Sequence, residues 1–360
     1  MRDSRVAPRA DRSVLRAVAE LRGGRPVIIK ACAPLLVLSA EAASPSGIDD
    51  LLDNTGKRTL VVASGRAAFM ARGDAEPSTA RAFEAPDSLF EPQALSALSD
   101  AEPSSPPFRP ASPPEGSDAA ISLARLARLI PTLIVGAADR SLDDFVEVEA
   151  ASIMAFTAGG GSSARLRLVA ETPMPLAAAP TARMLAFRSD VDAAEHLAVV
   201  VGDVRAAGPP LVRIHSKCLT GDLFGSMRCD CGPQLHEAGR LIFESGAGVL
   251  LYLDQEGRGI GLVNKLRAYR LQDLGLDTLD ANIALGYEPD DRSFEPAAAM
   301  LRLLGVERLR LLTNNPAKIF ALRALGFDVA SRTPLIAPAT PQNAGYLETK
   351  RLRFGHLLSG

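Results

Sequence analysis

Three cysteines stand close together in this chain: Cys218, Cys229 and Cys231, inside the run RIHSKCLTGDLFGSMRCDCGPQL. Only Asp230 separates the last two, a loop too short for an unstrained disulfide between them. Two thiolates held that close suit one soft cation better than they suit each other. Cys218 brings a third sulfur, and zinc is the metal that such a set favours. Three protein ligands leave the fourth tetrahedral position open, as in hydrolytic zinc sites, and a water there becomes hydroxide-like near neutral pH. Two plainer readings stay open: small buried hydrophobes, or a structural site closed by His215 or His236. The fourth cysteine, Cys32, lies in the apolar run VIIKACAPLLVL and is expected in the core.

Phosphate chemistry is offered at two strand-to-helix junctions. In DQEGRGIG, Gly257, Gly259 and Gly261 let backbone amides approach an anion at a helix start, and Arg258 adds a planar guanidinium. Glu256 could accept from a base edge such as that of guanine. The glycine spacing is not that of a dinucleotide-binding turn, and a tight turn alone would explain it. In TNNPAK, Pro316 suits the first helical position, Asn314 or Asn315 can cap, and Thr313 and Lys318 can hold phosphate. PDDRSF offers Asp290 and Arg292 in a loop, as an exposed ion pair or as a base beside a phosphate-seeking cation. Tyr269, on the helix after the glycine loop, reads as core on periodicity alone.

The elements around these groups alternate. Apolar runs PVIIKACAPLLVLS, RTLVVA, PTLIVGA, LAVVVGDV, PLVRIHS, VLLYL and RLRLL read as strands. Amphipathic stretches between them read as helices: 13–25 with Ser13 as cap, DAAISLARLARLI, CGPQLHEAGRLIFE, GLVNKLRAYRLQD and PAKIFALRALG. This is α/β architecture. A length of 360 residues suggests two domains. Residues 75–117, rich in Pro, Ser, Ala and Glu, read as a surface loop, and TAGGGSSA at 157–164 reads as a hinge. A net charge of −2 with no Trp argues against nucleic acid as partner. The charged N-terminus is no secretory signal, no run is apolar enough for a membrane span, and cysteines clustered as ligands fit a cytoplasmic protein.

Residues from about 168 to 360 resemble GTP cyclohydrolase II. The cysteine run, QEGRGIGLVNKLRAYRLQDLG, DTLDANIALGYEPDDRSF, LLTNNPAK and YLETKRLRFGHLL occur in that family's order. The resemblance implies zinc-dependent conversion of GTP and water to 2,5-diamino-6-(5-phosphoribosylamino)pyrimidin-4-one, formate and pyrophosphate, opening riboflavin biosynthesis. It implies one zinc per subunit on Cys218, Cys229 and Cys231, and magnesium on the triphosphate. By the same resemblance Asp290 is the proton acceptor, Arg292 the nucleophile or stabiliser at the α-phosphate, and Tyr269 lies near the reacting base. Arg213, His215, Gln234, Glu256, Gly257, Arg258, Thr278, Thr313 and Lys318 fall on GTP-contacting positions, and a homodimer is expected. Two residues depart from the pattern: Lys217 stands where the family usually has Glu, and Asp254 where it commonly has Arg.

The first half is similar to 3,4-dihydroxy-2-butanone 4-phosphate synthase in AVAELRGGRPVII, LVLSAEAASPSGIDDLL, DAAISLARLARLIPTLIV and ASIMAF. Where that family's acidic metal loop belongs the chain has KACAPLLVL, and residues 1–195 hold no histidine. The expected organisation is therefore a degenerate synthase-like α/β domain at 1–157, a linker at 158–167 and a cyclohydrolase-like domain with a mixed sheet at 168–360. The competing functions are a non-catalytic, zinc-stabilised GTP-binding protein on the same fold, and a cyclohydrolase that stops at a formylated product.

Overall fold

The computed structural model describes residues 9–71, 80–102, 109–138, 144–158, 166–177, 179–189, 194–206, 208–336, 340–341 and 343–357. By packing, the chain forms two units, one of residues 1–161 with 260–291, the other of 162–259 with 292–360.

In the first unit the strand segments VIIK, LLVLS and TLIVG are apolar at nearly every position. Such strands must be covered on both faces. The chain runs α1 (Arg9–Arg22), β1 (Val27–Lys30), β2 (Leu35–Ser39), α2 (Pro45–Asn54), β3 (Arg58–Ala63), α3 (Ser64–Ala71), β4 (Ala80–Glu84), α4 (Pro92–Ala97), β5 (Pro110–Ala111), α5 (Ser117–Leu126), β6 (Thr132–Ala137), β7 (Val146–Glu149) and α6 (Ala150–Ala158). Its sheet has the order β5-β4-β3-β6-β2-β1-β7, antiparallel except for the parallel pair β1/β7. One face packs on α1, α5 and α6 through Val14, Ala17, Ile121, Leu123 and Ile153. The other packs on α2, α3 and α4 through Ile48, Leu51, Met70 and Leu95.

The second unit runs β8 (Leu166–Pro173), β9 (Arg183–Ser189), β10 (Glu195–Val201), β11 (Leu211–Ser216), α7 (Leu219–Asp222), α8 (Cys231–Glu244) and β12 (Gly248–Leu253). Next come α9 (Leu262–Asp273) and α10 (Thr278–Ala284), which pack in the first unit, then α11 (Glu295–Leu304), β13 (Arg308–Leu312), α12 (Pro316–Ala324), β14 (Asp328–Thr333) and α13 (Ala344–Phe354). Its sheet is mixed, in the order β14-β13-β11-β12-β10-β9-β8. The strands β14, β13, β11 and β12 are mutually parallel, and the remaining pairs are antiparallel. Leu301 and Met300 of α11 cover one face, Ala238 and Ile242 of α8 the other.

Four expectations need correction. The segment 75–117 is not one loop. Its described parts form β4, a 3-10 turn at Asp87–Phe90, α4 and β5, and bury Leu89, Phe90, Leu95 and Leu98; residues 75–79 and 103–108 lie outside the described residues. A low-complexity composition concealed apolar residues spaced to reach one sheet face. Cys32 is exposed, because the chain turns between β1 and β2 just there. Ser13 sits inside α1, its hydroxyl donating to the carbonyl of Ala10, so it is not the cap. Finally, the packing boundary differs from the sequence boundary: α9 and α10 bury Ile260, Leu271, Leu285 and Tyr287 with Ile130 and Phe69 of the first half. Of the expected hinge and linker, Thr157 and Ala158 still belong to α6, residues 159–165 lie outside the described residues, and Leu166 already begins β8.

Candidate metal and nucleotide site

The adjacent parallel strands β13, β11 and β12 end side by side, and the loops leaving their carboxyl ends carry the chemistry. Ligand sites in α/β sheets form at such ends, because the strand directions bring loops and helix starts together. From β11 come Arg213 and His215, two residues apart on one strand face and both buried, followed by Cys218 and α7. Beyond β12 lie Glu256, Gly257 and Arg258; beyond β13 lie Thr313 and α12 with Lys318.

The three cysteine sulfurs lie within 4.8 Å of one another, and Cys218 Sγ is 3.7 Å from Cys229 Sγ. Two sulfurs on one tetrahedral zinc would be about 3.8 Å apart, from Zn–S bonds of about 2.3 Å. Contact among the thiols, more than burial, holds Cys231 well above its usual range, so three thiolates here require a cation. A Cβ on Gly221 would fall 2.8 Å from Cys229 Sγ and 3.0 Å from Cys218 Sγ, so only glycine leaves room between them. Among the described residues no His, Asp or Glu joins this cluster. His215 Nε2 faces Asp222 at 3.1 Å, and His236 is exposed, which disfavours a histidine-closed structural site. The donor set fits a soft cation such as zinc, with a coordination position left for a non-protein ligand.

Asp222, overlooked in the sequence, holds the loop in place. Its carboxylate accepts from the Cys218 amide (2.9 Å) and the Tyr252 hydroxyl (2.9 Å) and faces the His215 ring, which stacks on Tyr252. Burial pushes His215 below its ordinary value, while Asp222 pulls the other way. Glu256 is buried and accepts from the Leu219 amide at 2.7 Å, so one carboxylate oxygen secures α7. Asp230 bonds Lys350 of α13 and Gln234 of α8, and Gln234 in turn accepts from Arg213 at 2.7 Å. Burial draws Arg213 down to about 10, and its Nε has no partner among the described residues. The Lys318 ammonium is buried and donates to the Ile214 carbonyl. Asn315 caps α12 through the Ala317 amide, with Pro316 at the first helical position, as its spacing predicts. Thr313 Oγ1 accepts from the Asn315 amide.

Gly257 and Arg258 both adopt left-handed backbone, φ 62°. For arginine that conformation costs roughly 1–3 kcal/mol, an expense associated with functional turns. The Arg258 guanidinium lies 3.9 Å over the Phe354 ring, and its buried Nη1 has no partner among the described residues. Phe354, Lys350 and His356 of the C-terminal segment thus join the site residues, a contribution visible only in the fold. His356 is pushed down to about 3 by burial and by the cations of Lys350, Arg258, Arg292 and Lys318. The two departures from the family pattern meet: Lys217 Nζ is 3.2 Å from Asp254 Oδ1.

Arg292 begins the last part of this unit, its guanidinium 5.9 Å from the Phe294 ring centre. Tyr269, Thr278 and Asp290 belong to the first unit. Tyr269 is half-buried on α9, with Lys265 Nζ 5.8 Å from its ring centre; Thr278 starts α10 behind an Asp277 cap; Asp290 is exposed in a loop. The structure therefore carries the cysteines, Arg213, His215, Gln234, Glu256, Gly257, Arg258, Arg292, Thr313 and Lys318 in one unit, and the other three in the other unit.

A mixed α/β sheet with three cysteine sulfurs and buried cations at the ends of parallel strands has the donors that a soft metal and an anionic ligand require. The family model for GTP cyclohydrolase II matches residues 167–334. A GTP cyclohydrolase-2 of Azospirillum brasilense is 42% identical over 366 residues, 97% of this chain and 94% of that protein. The chain belongs to the GTP cyclohydrolase II family. A riboflavin biosynthesis protein RibBA of Bacillus velezensis is 56% identical over 179 residues, 49% of this chain and 45% of that protein. Among solved structures, a two-domain 3,4-dihydroxy-2-butanone 4-phosphate synthase from A. baumannii covers 90% of this chain at 17% identity with a TM-score of 0.32. Among the described residues no helix is long and apolar enough to cross a membrane.

Proposed function

We propose that the protein hydrolyses GTP to 2,5-diamino-6-(5-phosphoribosylamino)pyrimidin-4-one, formate and pyrophosphate, at the entry to riboflavin biosynthesis. The observation that carries this is the convergence of Cys218, Cys229 and Cys231 without a fourth protein donor among the described residues, beside buried cations. Zinc held by these sulfurs would supply Lewis acidity and bring the pKa of a water to about 7. Arg213, Arg258, Thr313 and Lys318 bind the triphosphate, which magnesium accompanies; the burial of Arg213 and Lys318 makes their charge contacts stronger than in water. Gln234, Glu256 and Gly257 contact the nucleotide. His215, kept neutral by burial, offers a hydrogen bond rather than a charge. Asp290 accepts a proton, Tyr269 orients the reacting base, Thr278 contributes a hydroxyl, and Arg292 stabilises charge at the α-phosphate. The protein acts as a homodimer in the cytoplasm, and its first half keeps the synthase-like fold without the synthase chemistry.

Purified protein incubated with GTP, zinc and magnesium should release formate and pyrophosphate in equal amounts, with the pyrimidinone as product by mass. GTP bound but unchanged would favour a binding protein, and a formylated mass would favour an enzyme that stops early. The Cys229→Ser variant should lose at least tenfold in bound zinc and all measurable formate release; full zinc content in that variant would remove the cysteines from the metal site.

A further inference from the structure

The segment between the glycine loop and Arg292 carries Tyr269, Thr278 and Asp290, and it packs in the first unit. Its apolar face is completed by the N-terminal half, since Ile260, Leu271, Leu285 and Tyr287 bury themselves with Ile130 and Phe69. The approach is close at two glycines. A Cβ on Gly65 would fall 2.5 Å from Ile283 Cγ2, and one on Gly286 2.5 Å from Pro131 Cγ.

Polar groups then fix the segment along its length. Glu41 accepts from Arg267 Nη1 at 2.7 Å and from the Ile130 amide at 2.6 Å. Asn264 Nδ2 donates to the Arg128 carbonyl, and the Tyr287 hydroxyl to that of Leu129. The last carbonyls of a helix have no partner within it, and cations are favoured there. At the end of α10 two arginines of the N-terminal half supply both needs. Arg66, fully buried, donates to the Ala284 carbonyl and also to those of Leu98 and Asp100. Arg125 donates through Nε to the Gly286 carbonyl (2.9 Å) and through Nη1 to Glu288 Oε1 (2.8 Å). Glu288 lies two residues before Asp290.

We propose that the N-terminal half is a clamp for the cyclohydrolase reaction, and that Arg125 is a positioning residue that sets where the chain leaves α10 and hence where Asp290 stands. The inference rests on the reading of Asp290 as the proton acceptor. Arg125 touches neither metal ligands nor phosphate-binding groups, so its loss should act on turnover rather than on binding.

The test uses the full chain. In Arg125→Ala, kcat for formate release should fall roughly 10- to 100-fold, the scale expected when a reacting group is misplaced by about 1 Å. KM for GTP and bound zinc should stay within about twofold, and amide hydrogen exchange across 284–292 should quicken. Arg125→Lys, which keeps a donor for one of the two acceptors, should recover part of the lost kcat. An active wild-type enzyme whose Arg125→Ala variant keeps its kcat, or loses it without loosening 284–292, overturns the clamp. A wild type that releases no formate overturns instead the reading on which the clamp rests.

Discussion

Asp222 illustrates what the residue scale contains. One carboxylate holds the Cys218 amide, the Tyr252 hydroxyl and His215, so the metal loop is tied to the ends of β11 and β12 through a single side chain. Nothing in its spacing marks it, because its partners meet only when β12 brings Tyr252 beside the stretch that carries His215 and Cys218. The cysteines were legible for the opposite reason: two of the three ligands are two residues apart, so local chain carries most of the geometry. Lys217 and Asp254 read singly as charge reversals beside binding segments, and the fold pairs them at 3.2 Å. Exposed pairs contribute about 0.2–1 kcal/mol. Lys217→Glu alone should therefore lower stability by about 1 kcal/mol or less and raise KM for GTP, while Lys217→Glu with Asp254→Arg restores both. Chemical denaturation and steady-state kinetics on the four variants check this as a double-mutant cycle.

At the scale of elements, α4 and α13 were both underestimated. Composition made 75–117 look like loop, yet α4 buries Leu95 in the core that also holds Leu51 and Phe90. Leu95→Ala should cost about 2–5 kcal/mol, the range for a large-to-small change in a packed core, as read by urea denaturation; a loop residue would cost almost nothing. The C-terminal helix α13 reaches the site through Lys350 and Phe354, with the His356 ring just beyond it. Burial and the surrounding Lys350, Arg258, Arg292 and Lys318 lower His356 to about 3 in the folded protein. The unfolded chain, with a pKa of about 6.5, then binds more protons below that pH. This contribution to stability is complete above about pH 6.5 and is lost as pH falls towards 3. Replacing His356 by Asn should flatten the slope of stability against pH between 7 and 5, and an unchanged slope would count against a neutral buried ring.

For the molecule as a whole, the packing boundary departs from the sequence boundary. Residues 260–291 belong by sequence to the cyclohydrolase region and by packing to the first unit. Starting the chain at residue 158 would strip Ile260, Leu271, Leu285 and Tyr287 of their apolar partners. The shortened protein should expose new hydrophobic surface, seen as dye binding or aggregation, and release far less formate than the full chain. The sequence by itself determined the α/β class, the strongly periodic strands and helices, the three sulfurs and the capped junction at Asn315, because each is set by periodicity or by neighbours along a few residues. Only the tertiary structure decided that Asp222 and Glu256 secure the cysteine loop, that the C-terminal helix lends groups to the site, and that the N-terminal half holds α9 and α10. Those outcomes depend on which groups and buried surfaces find each other across tens to more than a hundred residues, and no local pattern encodes such a partner.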